Sequence, residues 1–411
     1  MNKEQMLNEL REACENSLRE VYPAGVPEEV SQRLERELSR AAEHADCADG
    51  FLLYRELSDA AKRSACDLFL AGTMYDSIIT YLLGKHELNP MPAHYYCPQC
   101  GYYHEEPQTT AGLDLPDKHC PACGGRLRRD GFSLDERFCW DESESLGFEY
   151  RIPSRFRRVA YRVIERHYTA QERETLLFKP HYLEDDPDGI EKFSVAVLPR
   201  GEKIDNRQEL RALLRCGHWD MEGVETILLN SMELLERLDT ARWSSGLLDD
   251  ELSAEELTDV RWYDLVEEEV LSREERGILA GMTRDYGRNV SFGDLARCLS
   301  GLHCTYEDEN FLETAQKAGI PWRAACSRND VYELLLGAGM ESGRAFRNAE
   351  MIRKGKWHAD PECIDTEAPK EAQRLGHLTY YLFPRSFGQW FALQYLRIAK
   401  CRMAGRPAKL F

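Results

Sequence analysis

Residues 97–125 read Cys97-Pro98-Gln99-Cys100, then nineteen residues, then Cys120-Pro121-Ala122-Cys123-Gly124-Gly125. Two Cys-x-x-Cys pairs at this separation predict a zinc ribbon. Each pair bends the backbone so that two thiolates face one point. Two such bends complete a tetrahedral shell from Cys97, Cys100, Cys120 and Cys123. A shell of four thiolates leaves no position for water, so the expected zinc is structural, not catalytic, and helps to fold the segment that carries it. Buried thiol pairs or a redox dithiol are the alternatives, but redox motifs seldom come as two spaced copies.

The flanks of the ribbon carry more specific words. Asn89-Pro90-Met91-Pro92-Ala93-His94-Tyr95 leads into the first pair, and Leu113-Asp114-Leu115-Pro116-Asp117-Lys118 precedes the second. Together they resemble the zinc segment set into the palm of the PolC-type DNA polymerase III alpha subunit. The resemblance implies an α+β, mostly helical chain. In it a small, degenerate polymerase palm with an inserted four-cysteine ribbon is followed by a helical, fingers-like domain. The expected boundaries are an N-terminal helix over 1–26, palm-like parts over 27–95 and 132–243, the ribbon over 96–131, an acidic connector over 244–275 and the fingers-like domain over 276–411. By this resemblance, counterparts of the family's exonuclease, amino-terminal OB domain, histidinol-phosphatase-like domain and clamp-binding and duplex-binding parts are not expected in these residues.

Composition sets outer bounds. The chain has 411 residues, 43% hydrophobic and 30% charged, enough for two or three domains. Its opening residues read as an amphipathic helix and not as a signal peptide. The most apolar run, Leu68 to Leu83, contains Gly72, Asp76 and Ser77 and is too short and polar to span a membrane. Ten cysteines beyond the ribbon lack framework spacing, which fits reduced thiols and a cytoplasmic location. The net charge of −19 weighs against a simple nucleic-acid-binding domain. The charge is segregated, however. Asp249 to Glu275 holds twelve acids against two arginines, whereas Arg151 to Arg166 holds six arginines against one glutamate.

Helical periodicity covers residues 1–66. Leu7, Leu10, Cys14 and Leu18 form one stripe and Val30, Leu34, Leu38 and Ala41 another, separated by Tyr22-Pro23-Ala24-Gly25-Val26-Pro27. Both stripes predict packing. Further on, Phe193 to Leu198 is the best strand candidate, and the acidic run Glu184 to Asp188 is expected to be a solvated loop.

The resemblance also assigns positions, and there the chain departs from it. In the family a Gly/Ser-rich stretch before the Asn-Pro lead cradles the incoming nucleotide's phosphates. The counterpart here keeps Gly72, Thr73 and Ser77 but adds Met74, Tyr75 and Asp76, which block or repel a phosphate. A family strand carries an Asp-x-Asp pair for two magnesium ions; here Glu149 stands at the first position and Arg151 at the second. The third aspartate falls on Met232, beside Glu233. These changes predict that magnesium is not held. In the fingers-like part, Cys326-Ser327-Arg328-Asn329-Asp330 and Tyr381-Leu382-Phe383-Pro384-Arg385 match best. Arg328 and Arg385 are then remnants of the nucleotide pocket, with Phe387 and Phe391 replacing its histidine and tyrosine.

Arg151, Arg155, Arg158, Arg162 and Arg166 step by four, three, four and four, a spacing that lines up one cationic stripe. Arginine suits phosphate, so the stripe is the candidate nucleic-acid surface; a solvated face paired with the chain's acids is the alternative. Three functions stay open. The favoured one is a pseudo-enzyme that binds DNA or a replication protein without catalysis. The second is an interaction module with no nucleic-acid role. The third is an active DNA polymerase, a nucleotidyltransferase using displaced carboxylates such as Glu149, Asp220 and Glu233.

Overall fold

The computed structural model describes residues 3–43, 47–64, 68–70, 74–84, 86, 88–140, 148–152, 156–167, 179–182, 191–195, 273, 276–278, 280–281, 291–307 and 310–393. The chain divides into two compact units, residues 1–250 with 406–411 and residues 251–405; the break falls inside the acidic run. The chain is mostly helical with small sheets. Among the described residues no helix is long and apolar enough to cross a membrane.

The first unit opens with α1 (Lys3–Val21), α2 (Glu28–Glu43) and α3 (Cys47–Arg63). Leu10, Cys14 and Leu18 of α1 and Val30, Leu34, Leu38 and Ala41 of α2 are buried, so the apolar stripes in the sequence are packing stripes. The break between the two helices passes through Gly25, whose φ of 124° suits a residue without a Cβ. Helix α3 is apolar on nearly every side, with Phe51, Leu52, Leu53, Tyr54 and Leu57 all buried. Such a helix belongs at the centre, and α1, α2, α4 (Ile78–Gly84) and α6 (Arg157–His167) lie against it.

Two antiparallel sheets complete this unit. Strands β2 (His94–Tyr96), β3 (Tyr103–Glu105) and β4 (Arg128–Asp130) form the ribbon sheet in the order β3-β2-β4. Strands β1 (Phe69–Leu70), β5 (Phe148–Ile152), β6 (Lys179–Tyr182) and β7 (Glu191–Val195) form the other in the order β1-β5-β7-β6, so β5 and β7 are its central strands. The short helix α5 (Arg137–Trp140) contributes Phe138 and Trp140 to the core.

A buried ion cluster joins the helices. Arg33 Nε lies 2.6 Å from Glu37 Oε1 and 2.7 Å from Glu136 Oε2, and its guanidinium donates to the Asp76 and Leu134 carbonyls. Glu37 in turn accepts from the Ser77 hydroxyl and from the Ile78 N–H at the start of α4, where a carboxylate meets the positive end of the helix. Burial alone would lower the Arg33 pKa, but Glu37 and Glu136 outweigh it and raise it.

The second unit is helical around a two-stranded pairing of β8 (Thr305–Tyr306) with β9 (Thr379–Tyr381). Local capping explains its helix starts. The Asn310 side chain accepts from the Leu312 and Glu313 N–H groups, and Ser327 accepts from the Asp330 N–H. The helix Phe311–Ala318 ends at Gly319, which adopts φ 73°. Ala345, Ala349, Ile352, Trp357, Ala372 and Leu375 are fully buried and form the centre of this unit.

Candidate metal centre and cationic surfaces

Strand β2 runs directly into Cys97, and the two cysteine pairs have matching backbones. The Cys97 N–H donates to the Tyr102 carbonyl at 2.8 Å and the Cys120 N–H to the Gly125 carbonyl at 2.7 Å. Gly101 and Gly124 each donate to the carbonyl of the cysteine four positions earlier, at 2.9 Å in both cases, with φ of 76° and 74°. Each bend thus requires a left-handed residue in the same place. At Gly101 a Cβ would also stand 2.6 Å from the Ala24 carbonyl oxygen.

The four sulfurs all lie within 4.8 Å of one another. Cys97 and Cys123 approach to 3.4 Å, and Cys100 and Cys120 to 3.5 Å. Those separations are far longer than a disulfide bond of about 2.05 Å and close to the roughly 3.8 Å edge of a tetrahedron with Zn–S of about 2.3 Å. Cys97 and Cys120 are buried, and Cys100 and Cys123 are exposed. Burial raises the Cys97 thiol, but the N–H groups of Gln99 and Cys100 outweigh it and bring it down to about 7. At Cys100 the Tyr102 N–H pulls downward, yet burial and the neighbouring sulfurs push the thiol up to about 12. Crowded sulfurs that share too few compensating charges are the environment that a dication relieves.

The centre is anchored on both sides. Ala93, Tyr95, Cys97, Leu115, Cys120 and Leu127 form its own small core, with Tyr102 packed on it. Tyr96 and Tyr22 meet edge to face at 5.0 Å, and the Arg128 guanidinium lies over both rings. Asn89, the first residue of the Asn-Pro lead, donates to the Tyr22 hydroxyl and to Asp130. The lead therefore joins ribbon to helices.

The remaining candidate residues are spread over other elements. Glu149 and Arg151 occupy β5, two positions apart and hence on one face of the sheet. In register, Glu149 pairs with Ser194 and Arg151 with Lys192 and Phe69. Gly72, Thr73, Arg155, Asp220, Met232 and Glu233 lie outside the described residues, as does the run Glu184 to Asp188. Ser77 is buried, and so are Met74, Tyr75 and Asp76 before it.

Helix α6 carries the rest of the arginine stripe. Phe156, just before the helix, and Ala160, Val163 and Ile164 within it are buried, while Arg158, Arg162 and Arg166 are exposed. Among the described residues Arg158 and Arg162 have no ion-pair partner, and Arg166 Nε donates to the Arg162 carbonyl. Arg151 sits in strand β5, ahead of this helix. The helix is fastened to α3 by His167, whose ring nitrogens contact Glu56 at 2.9 Å and Asp49 at 3.1 Å. That pairing joins residues more than a hundred positions apart, and no local pattern signals it.

In the second unit both candidate arginines are interior. Arg328 is fully buried and pairs with Glu350 at 3.2 Å. Arg385, also buried, pairs with Asp330 and with Glu333, each at 2.7 Å. Asp330 further accepts from Arg297 and Ser327, and these partners hold its carboxyl below the usual range despite burial. Phe387 stands between Phe383 and Phe391, with ring centroids 4.5 Å apart on each side, so the two phenylalanines are packing residues here.

The chain is similar to parts of known proteins. It is 34% identical over 153 residues to the DNA polymerase III PolC-type of Thermotoga petrophila, covering 36% of this chain and 11% of that protein. The Thermotoga maritima protein of the same name is 33% identical over 153 residues, with the same coverage. That of Bacillus subtilis is 35% identical over 132 residues, 31% of this chain and 9% of the relative. The match therefore spans about a tenth of these relatives' length. No family model matches the chain.

Proposed function

We propose that this chain is a catalytically degenerate relative of the palm and fingers of PolC-type DNA polymerase III, and that it binds DNA without extending it. The four thiolates hold a structural zinc that folds the ribbon and keeps it on the helices. The observation that carries the proposal is the register of β5. Arg151 stands where the resemblance requires a metal-binding carboxylate, on the same face as Glu149 and directly across from Lys192. Two-metal transfer needs carboxylates gathered around one point, and an arginine at the second position supplies none. Each roughly 1.4 kcal/mol of lost transition-state stabilisation is a tenfold loss of rate.

Other features support a loss of nucleotide chemistry. Met74 to Asp76 fill the interior at the place of the phosphate cradle, and Arg328 and Arg385 are neutralised by buried carboxylates. DNA binding draws support from the exposed Arg158, Arg162 and Arg166 of α6 and from the similarity to a polymerase. The same similarity supports a cytoplasmic location and a replication protein as a further partner of this reading. Primer extension by the purified chain, with magnesium and then with manganese, tests the proposal. No extension is expected. Extension that disappears in Glu149→Gln would establish an active polymerase instead.

A further inference from the structure

Tyr380, in strand β9 of the second unit, is 44% exposed; it and Leu336 are the large apolar side chains left in solvent among the described residues. A single exposed ring is ordinary on a protein surface, but the neighbours of this one give it a use. The helix Ser342–Arg353 and the short helix Lys356–Ala359 meet at Gly355, whose φ of 64° belongs to the left-handed region. A Cβ at Gly355 would stand 2.4 Å from the Tyr380 carbonyl oxygen, so glycine is what lets the turn lie this close to the strand. The Leu382 N–H donates to the Arg353 carbonyl at 3.1 Å and fixes the approach. The run Arg353-Lys354-Gly355-Lys356 is thereby held along the strand that carries Tyr380. The Tyr380 ring meets the His358 ring edge to face at 4.4 Å, and His358 Nδ1 is tied to the His377 carbonyl at 2.5 Å.

Positive charge exceeds negative around this turn. Arg328, Arg353 and Lys354 share one carboxylate, that of Glu350, at 3.2, 2.8 and 3.4 Å. Arg353 also donates to the Tyr381 hydroxyl at 3.2 Å. Lys356 is exposed and has no ion-pair partner among the described residues. The next acids along the chain, Asp360 and Glu362, follow the end of the short helix, and the Asp360 carboxylate accepts from the Glu362 N–H and the Cys363 thiol. This happens in a chain of net charge −19, so a general excess of basic residues does not account for it. An exposed aromatic ring beside cations is the arrangement that takes a nucleic-acid single strand: a base stacks on the ring and the flanking phosphates meet the cations. Bases inside a duplex are already stacked and offer no such face.

We infer that Tyr380 is a stacking platform for one base of single-stranded DNA, with Lys354 and Lys356 taking the adjoining phosphates. The inference rests on the DNA-binding reading above and deepens it, naming a single strand as the ligand and the second unit as its place. Stacking tolerates any sequence because every base has a π-face. The phosphate contacts release counterions, so binding weakens with salt.

The test uses the full, zinc-loaded chain and two fluorescently labelled probes, oligodeoxythymidylate and a blunt duplex of the same length, titrated at several salt concentrations. Tyr380→Ala should weaken single-strand binding about tenfold and leave duplex binding unchanged. Tyr380→Phe keeps the ring and should bind the single strand as the parent does. Lys356→Gln should lower the single-strand salt slope by about 0.7. A Tyr380→Ala variant that binds the single strand like the parent overturns the platform. So does a Tyr380→Phe variant as weak as Tyr380→Ala, or a loss equal on both probes. Single-strand binding abolished by changes on α6 but untouched at Tyr380 and Lys356 overturns the platform and leaves the DNA-binding function standing. No DNA binding by the parent chain overturns both.

Discussion

The Tyr96 hydroxyl accepts a 2.8 Å hydrogen bond from the Ala24 N–H and approaches the Gly25 carbonyl at 3.3 Å. Tyr96 ends the first ribbon strand one residue before Cys97, and Ala24 lies in the turn between α1 and α2. One phenol therefore ties the metal centre to the helices. Tyr96→Phe leaves the Ala24 N–H without its partner and should cost about 1–2 kcal/mol. Thermal unfolding with retained metal content would show this; an unchanged melting temperature would mean that the contact is dispensable.

The metal itself should be zinc, at about one per chain. Elemental analysis of the purified protein checks the stoichiometry. Cys120→Ser should lose the metal and loosen the ribbon, seen as lower melting temperature and faster proteolysis within 97–125. The same variant with full zinc content and parental stability would refute a four-thiolate site.

His167 should make stability pH-dependent. Burial lowers its pKa, but hydrogen bonds and charge from Asp49 and Glu56 outweigh it and raise the group to about 9. Because the folded value lies above the ordinary 6.5, the stabilisation is fully present below that value and lost as pH rises through about 9. Discounted for the partial exposure of the pair, it is on the order of 1–2 kcal/mol. His167→Gln should therefore melt earlier than the parent at pH 6 and nearly together with it at pH 10. A constant difference across that range would exclude the ion pair as its source.

Glu350 tests the interior of the second unit. It pairs with the fully buried Arg328 and with Arg353, and these cations hold its carboxyl well below the usual range even though burial alone would raise it. Glu350→Gln removes the carboxylate charge that pairs with the buried Arg328 guanidinium and should cost about 3–5 kcal/mol. Denaturant unfolding measures it; a loss below about 1 kcal/mol would show that the arginine finds water or another acid.

Replacing Arg158, Arg162 and Arg166 together with alanine should weaken DNA binding equally across sequences and lower the salt slope by up to about 0.9 per lost phosphate contact on duplex. These side chains are exposed and outside the core of α6, so melting should stay near the parental temperature. Unchanged affinity and slope would make the helix face a solvated one.

Much of this architecture is local. The Cys-x-x-Cys spacing and the stripes of α1 and α2 act within a few positions of themselves, and the structure uses them as their spacing predicts. The strand over 191–195 overlaps the apolar run starting at Phe193, although it begins two residues earlier. The arginine step of three or four continues from strand β5 into helix α6, so the spacing alone does not mark the junction between them. Nothing local signals the Arg33–Glu136 or His167–Asp49 pairs, which depend on how helices meet.

By itself, the sequence determined the four-cysteine cluster and the helical character, since residue type and short spacing carry both. Tertiary structure alone decided that Arg151 pairs in register with Lys192 across a sheet and that Arg328 and Arg385 are interior cations. Strand register and burial are properties of pairing between distant segments. A one-residue slip would move every side chain of β7 to the other face, so no reading of β5 by itself could supply its partner.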